Sequence, residues 1–415
     1  MATIHIGQGK IMLQSTSQSA AIPSTNQQVP VGLSGEIISR SQIGQEFVWP
    51  KNDPRSQWQA QRTYEASDDS RIRHLSVSPH FDMGMFLEKT KTLDLPSRII
   101  ELLNHNAFQF NSRKRFRGCE QWRQMVTEAC EKGAPIEILI LAFCVISNPT
   151  KRVQPTEVTT ADDVSLLHMD NIARHIASIY PPGAVFHVIS DSTFYALPLG
   201  VTSVEAQNYL VQLHRRTEDL KIADTIKIHD ISDYLCHYNQ LFHDQFEIWR
   251  ARFLENPLSH DLPADEYQRW HASMRSTLNS RRMGLTYEQL AALFCADSGM
   301  SLAHLDNSAT LALAEYRALK AAAADTNWEK HHFPNAIRAT IHAKKIPVLG
   351  LRLYPEYKLN SRLLPYHGIA VLIQDDNDGA ERMEIRHEIS VIGNQSFTRV
   401  VNEEGLTQFY EPSKL

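Results

Sequence analysis

Pro135-Ile136-Glu137-Ile138-Leu139-Ile140-Leu141-Ala142-Phe143 is the stretch that decides the fold class. It is a short, almost unbroken apolar run rich in branched side chains. That pattern belongs to a strand covered on both faces, as strands of parallel sheets are. Downstream, Asp162 to Ile179 carries Val164, Leu166, Leu167, Ile172, Ile176 and Ile179 at helical spacing. Pro181-Pro182-Gly183 stops that helix, and Ala184-Val-Phe-His-Val-Ile-Ser190 reads as a second strand. A strand, a crossover helix and another strand imply a parallel pair with a right-handed connection. A helix over Val204 to Arg215 and a strand over Thr225 to Ile231 extend the same alternation. The expected fold is therefore α/β, with a Rossmann-like parallel sheet at its core.

Around this core (residues 96–232) the texture changes four times. Gln14 to Pro30 is rich in Ser, Thr, Gln and Ala and poor in large apolar residues. Such a segment buries too little surface to offset its ordering entropy, so residues 1–40 are expected to be mobile. Residues 41–95 remain polar with scattered aromatics (Phe47, Trp49, Trp58, Tyr64), which suggests an extended arm on the main body, with helical patterning from Asp82 onward. Residues 233–332 form a helical insertion. Within it, Ser232 to Glu255 and Ala264 to Cys295 are long and periodic, and Leu311 to Lys330 is rich in the strongest helix former, Ala. Residues 333–415 are strand-rich, with Ile346 to Tyr354, Gly368 to Ile373 and Glu384 to Ile392 as strands completing the core. Asp375-Asp-Asn-Asp-Gly379 is a turn between two of them.

Composition excludes several classes. The 415 residues carry a net charge of −5, whereas a general nucleic-acid binder presents a basic surface. Cys119, Cys130, Cys144, Cys236 and Cys295 are odd in number and contain no C-x-x-C pair, so they make a poor disulfide framework. A reducing cytoplasm is the expected compartment. Met1 to Lys10 lacks the order of a signal peptide, and the longest apolar run, Ile136 to Val145, is about half the length needed to cross a bilayer. No membrane or nucleic-acid partner is expected. The 19 histidines include no H-E-x-x-H or zinc-type pattern, so no metal is expected either. G-x-S-x-G, the Walker loop and G-x-G-x-x-G are also missing.

Three constellations remain. In a parallel sheet, ligands bind beyond the carboxyl ends of the strands. Ser147-Asn148-Pro149-Thr150-Lys151-Arg152 follows the first strand and puts small polar residues and two cations there, suited to a phosphate or carboxylate. The same residues also make an ordinary solvated loop. Ser190-Asp191-Ser192 ends the second strand, where Asp191 is placed to act as a base or simply to cap the next turn. Arg338-Ala-Thr-Ile-His342 and Tyr366-His367-Gly368 combine a guanidinium that can clasp an anion with two imidazoles that can shuttle protons.

The order of these pieces resembles the pyoverdine/dityrosine biosynthesis family. Leu141 to Lys151 looks like its G-F-P-x-K-S-P-N-x-x-K strand and loop, and Ile179-Tyr-Pro-Pro-Gly-Ala184 with Ile189-Ser-Asp191 looks like its Y-P-P-G-A and S-D-G segments. Trp328 through Phe333-Pro-Asn-Ala-Ile-Arg338-Ala-Thr-Ile-His342 is similar to W…F-P-x-A-I-R-x-S-I-H. Leu364-Pro-Tyr-His367-Gly368 is similar to T-P-W-H-G. The likeness runs from about Leu95 to Tyr410.

That resemblance implies an isocyanide (isonitrile) synthase of secondary metabolism. It acts on the amine of a small-molecule amino acid, with ribulose 5-phosphate, a sugar phosphate, as carbon donor and co-substrate and with no other cofactor. The substrate amine would attack the sugar ketone to give an imine, and later eliminations would release the isocyanide. Asp191, His342 and His367 are the implied proton-transfer residues. Ser147, Asn148, Lys151, Arg152, Arg338 and Tyr366 are the implied substrate-binding ones. This chain departs from the family pattern at Ile146 (Lys in the family), Ser192 (Gly), Ala324 (Arg) and Tyr366 (Trp), and it inverts S-P-N to Ser147-Asn148-Pro149. A family member with altered chemistry on an amino-acid-like substrate and a non-catalytic biosynthetic partner are the alternatives these departures open.

Overall fold

The computed structural model describes residues 2–7, 10–15, 59–109, 119–145, 151–152, 156–190, 198, 201, 203–258, 262–283, 302–341, 349–355, 363–374, 379–392 and 394–413. The expectation of a mobile stretch to residue 40 falls mostly outside them. Inside it, β1 (Ala2–Gly7) and β2 (Lys10–Ser15) pair as an antiparallel hairpin.

The next element, β3 (Gln61–Thr63), is short, and α1 (Ala66–Leu75) follows it directly. Part of the expected extended arm is thus a helix. The reason is its ends: Glu65 N donates to Asp68 Oδ2 in a capping box, acidic Asp68 and Asp69 open the helix, and Arg73 and His74 close it. Only Asp68 and Ile72 are buried, so α1 carries almost no apolar period for a sequence reading to catch. Then come α2 (Met83–Thr90), α3 (Leu95–Leu103) and α4 (Cys119–Lys132). Asp82 and Asp94 cap α2 and α3 by accepting from Met85 N and Ser97 N, each at 2.7 Å.

The decisive apolar run is β4 (Ile136–Leu141), followed by α5 (Thr160–Ala177), β5 (Ala184–Ser190), α6 (Ser203–Asp219) and β6 (Ile226–Asp230). A helical layer follows: α7 (Ile231–Leu235), α8 (Asn239–Glu255), α9 (Ala264–Met283), α10 (Leu302–Asp325) and α11 (Trp328–His332). The helix expected over Leu311 to Lys330 is broken at Asn327, whose φ of 53° is left-handed and separates α10 from α11. The chain then returns through β7 (Ile337–Thr340) and β8 (Leu349–Gly350). The remaining strands are β9 (Ile369–Gln374), β10 (Glu381–Arg386), β11 (Phe397–Val401) and β12 (Thr407–Pro412). The strand expected over Glu384 to Ile392 stops at Arg386, because Glu388–Ser390 turn into a single 3₁₀ turn.

Two five-stranded sheets result. The first is wholly parallel in the order β6-β5-β4-β7-β8. The chain moves from β4 outward to β5 and β6, then crosses to the other side of β4 for β7 and β8. The sequence expectation of an α/β fold on a parallel sheet holds. The second sheet, β10-β9-β12-β11-β3, is mixed and uses the strand-rich tail together with β3. Most of the tail therefore builds a second sheet, and only β7 and β8 complete the first.

Side chains alternate across the parallel sheet. Ile138, Ile140, Phe186, Val188, Ile337 and Ala339 face one core, and Leu139 and Ile189 face another beneath the helical layer. Helix α5 lies between the two sheets, touching β5 and β6 on one side and β9 and β12 on the other. Fourteen of its 18 residues are buried, including Asp162, Asp163, His168 and Asp170. Such burial of carboxylates requires partners, and those partners lead to the site. Among the described residues no helix is long and apolar enough to cross a membrane.

Candidate functional site

The sheet order reverses between β4 and β7, and in open α/β sheets the crevice beyond the carboxyl ends at such a reversal is where ligands sit. In the sequence, Lys151 follows the carboxyl end of β4. Ser190 at the end of β5 ties the two strand ends together by donating from Oγ to Phe143 O at 3.1 Å. Phe143 itself has φ 60°. A left-handed conformation is costly for a bulky side chain and persists only where its surroundings impose it, commonly at functional sites. Its buried ring lies 5.3 Å, centre to centre, from Tyr366, whose ring in turn meets His367 edge-on at 4.6 Å.

Arg152 holds this arrangement in place. Its guanidinium is fully buried and donates from Nε to Gly368 O (3.0 Å), from Nη1 to Glu157 O (3.0 Å), and from Nη2 to Thr159 Oγ1 (2.9 Å) and Asp162 Oδ2 (3.0 Å). Asp162 is the third residue of a capping box on α5: Thr159 N donates to its Oδ2 at 2.7 Å, and Tyr209 OH donates to its Oδ1 at 3.0 Å. One buried cation thus binds the Lys151 loop, the start of α5 and the 3₁₀ turn Pro365–His367. Arg152, expected to bind substrate, is buried with its donors directed at protein acceptors. The Thr159-x-x-Asp162 spacing was a visible signal for this network, and Tyr209 had none.

Arg338 also differs from its expected role. It pairs in register with Leu139, so its side chain leaves the sheet on the helical-layer face, while Arg152 lies against α5 on the opposite face. There its Nε stands 2.8 Å from Glu329 Oε2, and Nη1 donates to Ala339 O at 2.9 Å. The same face carries a hydrogen-bonded row of neutral rings. His187 Nδ1 is 3.1 Å from His229 Nε2, and His229 Nδ1 is 2.8 Å from Tyr234 OH. Burial lowers the pKa of both histidines, that of His229 to about 4. Arg152 and Arg338 therefore do not form one basic pocket.

Lys151 is different. It is half-buried, burial lowers its pKa, and among the described residues its ammonium has neither a hydrogen-bond nor an ion-pair partner. Its backbone is fixed, because Lys151 O accepts from Glu388 N at 2.9 Å. Tyr366 is buried, and His367 is half-buried at the same edge. Ser147, Asn148, Asp191 and His342, with Ile146 and Ser192, lie outside the described residues. Their segments follow the carboxyl ends of β4, β5 and β7, three adjacent strands. Ala324 is exposed on the last turn of α10. No group of three or more His, Cys, Asp or Glu suited to a metal ion occurs among the described residues.

The model of the Pyoverdine/dityrosine biosynthesis protein family matches residues 126–390. The chain belongs to this family. The match takes in β4, Lys151, Arg152 and the whole 3₁₀ turn, and ends just past Glu388. Curated relatives share less: an L-tyrosine isonitrile synthase of Xenorhabdus nematophila is 22% identical over 258 residues, covering 59% of this chain and 70% of that one. An L-tyrosine isonitrile synthase of Pseudomonas aeruginosa is 24% identical over 250 residues, covering 59% and 72%. An L-tryptophan isonitrile synthase of Fischerella ambigua is 28% identical over 103 residues, covering 25% and 31%. The crystal structure of PvcA from Pseudomonas aeruginosa superposes with a TM-score of 0.55 at 20% identity, covering 77% of this chain and all of that one, which shows the shared fold.

Proposed function

We propose that this family member is an isonitrile synthase-like enzyme that converts the amine of an amino acid to an isocyanide with ribulose 5-phosphate as carbon donor. The names of the curated relatives support the reaction class. The observation that carries the reading is Lys151. A partly desolvated ammonium without an anionic partner among the described residues, on the segment that follows the central strand of a parallel sheet, is suited to the phosphate of a sugar phosphate.

The pairing of Arg152 with Asp162 and of Arg338 with Glu329 favours a second reading, altered chemistry on an amino-acid-like substrate, because it withdraws two cations from ligand duty. Purified protein, ribulose 5-phosphate and a panel of amino acids, with a tetrazine trap for isocyanide, separate the two. The proposed reading expects trapped isocyanide from the wild type and none from Lys151→Met. Calorimetric binding of an amino acid without the sugar phosphate would instead establish altered chemistry, and binding of neither would establish a non-catalytic partner.

A further inference from the structure

His387 is a residue that the sequence motifs pass over, and the backbone brings it to the neighbourhood of Lys151. Arg386 pairs with Ile369 as the last pair of the β9–β10 ladder, so His387 leaves the ladder next to Gly368, the residue after His367. The approach is close: a Cβ on Gly368 would come within 2.7 Å of both Arg386 O and Ile385 Cγ2. On its other side His387 adjoins Glu388, whose N–H donates to Lys151 O. The Glu388 carboxylate is buried and accepts from Tyr410 OH at 3.0 Å. Arg386, on the preceding residue, is occupied with Glu384 at 2.8 Å. His387 keeps solvent contact though its ring is partly desolvated and, like the Lys151 ammonium, has no hydrogen-bond partner among the described residues. Partial burial and, after it, the nearby charge of Lys151 depress the pKa of His387.

We propose that His387 faces the same ligand as Lys151 and moves a proton on it. The proposal rests on the synthase reading above. There the nitrogen of the amino acid bonds to the ketone carbon of the sugar phosphate, and the carbonyl electron pair moves onto oxygen. The neutral imidazole takes the proton from that nitrogen and returns it to the oxygen, giving a carbinolamine with no outside acid, base or oxidant. Lys151 anchors the anion while His387 is neutral and able to accept. Two basic side chains from segments more than two hundred residues apart would thus divide binding from proton transfer.

Histidine ring resonances of the full chain, followed through a pH titration with His387→Gln identifying the peak, test this directly. Ribulose 5-phosphate should raise the apparent pKa of His387, since an anion beside Lys151 cancels the charge that depresses it, and Lys151→Met should abolish that response. Turnover of His387→Gln should fall by about 10²-fold with the dissociation constant of the sugar phosphate unchanged. Sugar phosphate that binds through Lys151 without moving the His387 resonance, or full turnover in His387→Gln, overturns the role of His387 and leaves the synthase reading standing. Failure of the sugar phosphate to bind wild-type protein overturns both.

Discussion

The two faces of the parallel sheet treat buried polarity in opposite ways. On the α5 face the buried carboxylates are paired with arginines: Arg152 meets Asp162, and Arg216 grips Asp163 through two bonds of 2.9 and 2.7 Å. On the helical-layer face the polar groups are rings kept neutral, His187, His229 and Tyr234, packed around Phe333 and Trp328. A buried ion pair costs desolvation energy that only near-complete hydrogen bonding offsets, so it contributes little net stability while fixing geometry sharply. The face with that geometry is the one that leads to Lys151, Tyr366 and His367. Its charges position the site, whereas the neutral face mainly supplies burial.

The largest expected effect comes from breaking the ionic side. Arg152→Met leaves Asp162 buried without its cation and should cost about 3–5 kcal/mol of stability in urea unfolding. Arg152→Met with Asp162→Leu should recover much of that loss, because the orphaned charge is gone, and yet should not recover turnover, because the Arg152 bond that holds Gly368 O is lost. A single variant as stable as wild type would show that the pair is not buried in solution.

Histidine titration sharpens the comparison, since each face holds one ring with a pKa lowered to about 4, His168 on α5 and His229 opposite. The usual value is 6.5. Between pH 6.5 and 4 the unfolded chain binds a proton that the folded chain refuses, so the stabilising contribution is complete above 6.5 and is lost as pH falls toward 4. For the fully buried His168 the loss approaches about 3 kcal/mol. Urea midpoints of wild type should fall across this window more steeply than those of His168→Gln, and parallel profiles would rule out a neutral His168 in the fold.

How much of this was legible follows the same division. Apolar runs announced β4, β5 and their crossover because burial on both faces leaves a continuous pattern. The ends of β7 and the 3₁₀ turn were readable through motif likeness. The roles of Arg152 and Arg338 were not, since a cation beside a strand end reads the same whether it meets a ligand or a carboxylate ten residues further on, as Asp162 is, or on the preceding helix, as Glu329 is. Burial of Asp162, Asp163 and Asp170 on α5 was equally hidden: a second sheet covers the face that amphipathic spacing assigns to water. His387 had no sequence signal, because only the β9–β10 register carries it to Lys151.

The smallest expected effect belongs to Arg338→Ala. Its ion pair with Glu329 is about one-third exposed on each side, and exposed pairs of this kind contribute about 0.2–1 kcal/mol. The unfolding midpoint should therefore move little, and Glu329→Gln should move it by a similar amount, with the double variant adding almost nothing further if the two residues act as one pair. Binding of ribulose 5-phosphate supplies the discriminating readout. If the guanidinium belongs to Glu329, both single variants keep their affinity, and the site draws its positive charge from Lys151. If the arginine exchanges Glu329 for a ligand anion, Arg338→Ala loses affinity while Glu329→Gln, having lost the competing carboxylate, gains it. Opposite signs for those two variants would return Arg338 to the anion-clasping role that its Ile-Arg-Ala-Thr-Ile-His setting implies, and would place cations on both faces of the sheet at one crevice.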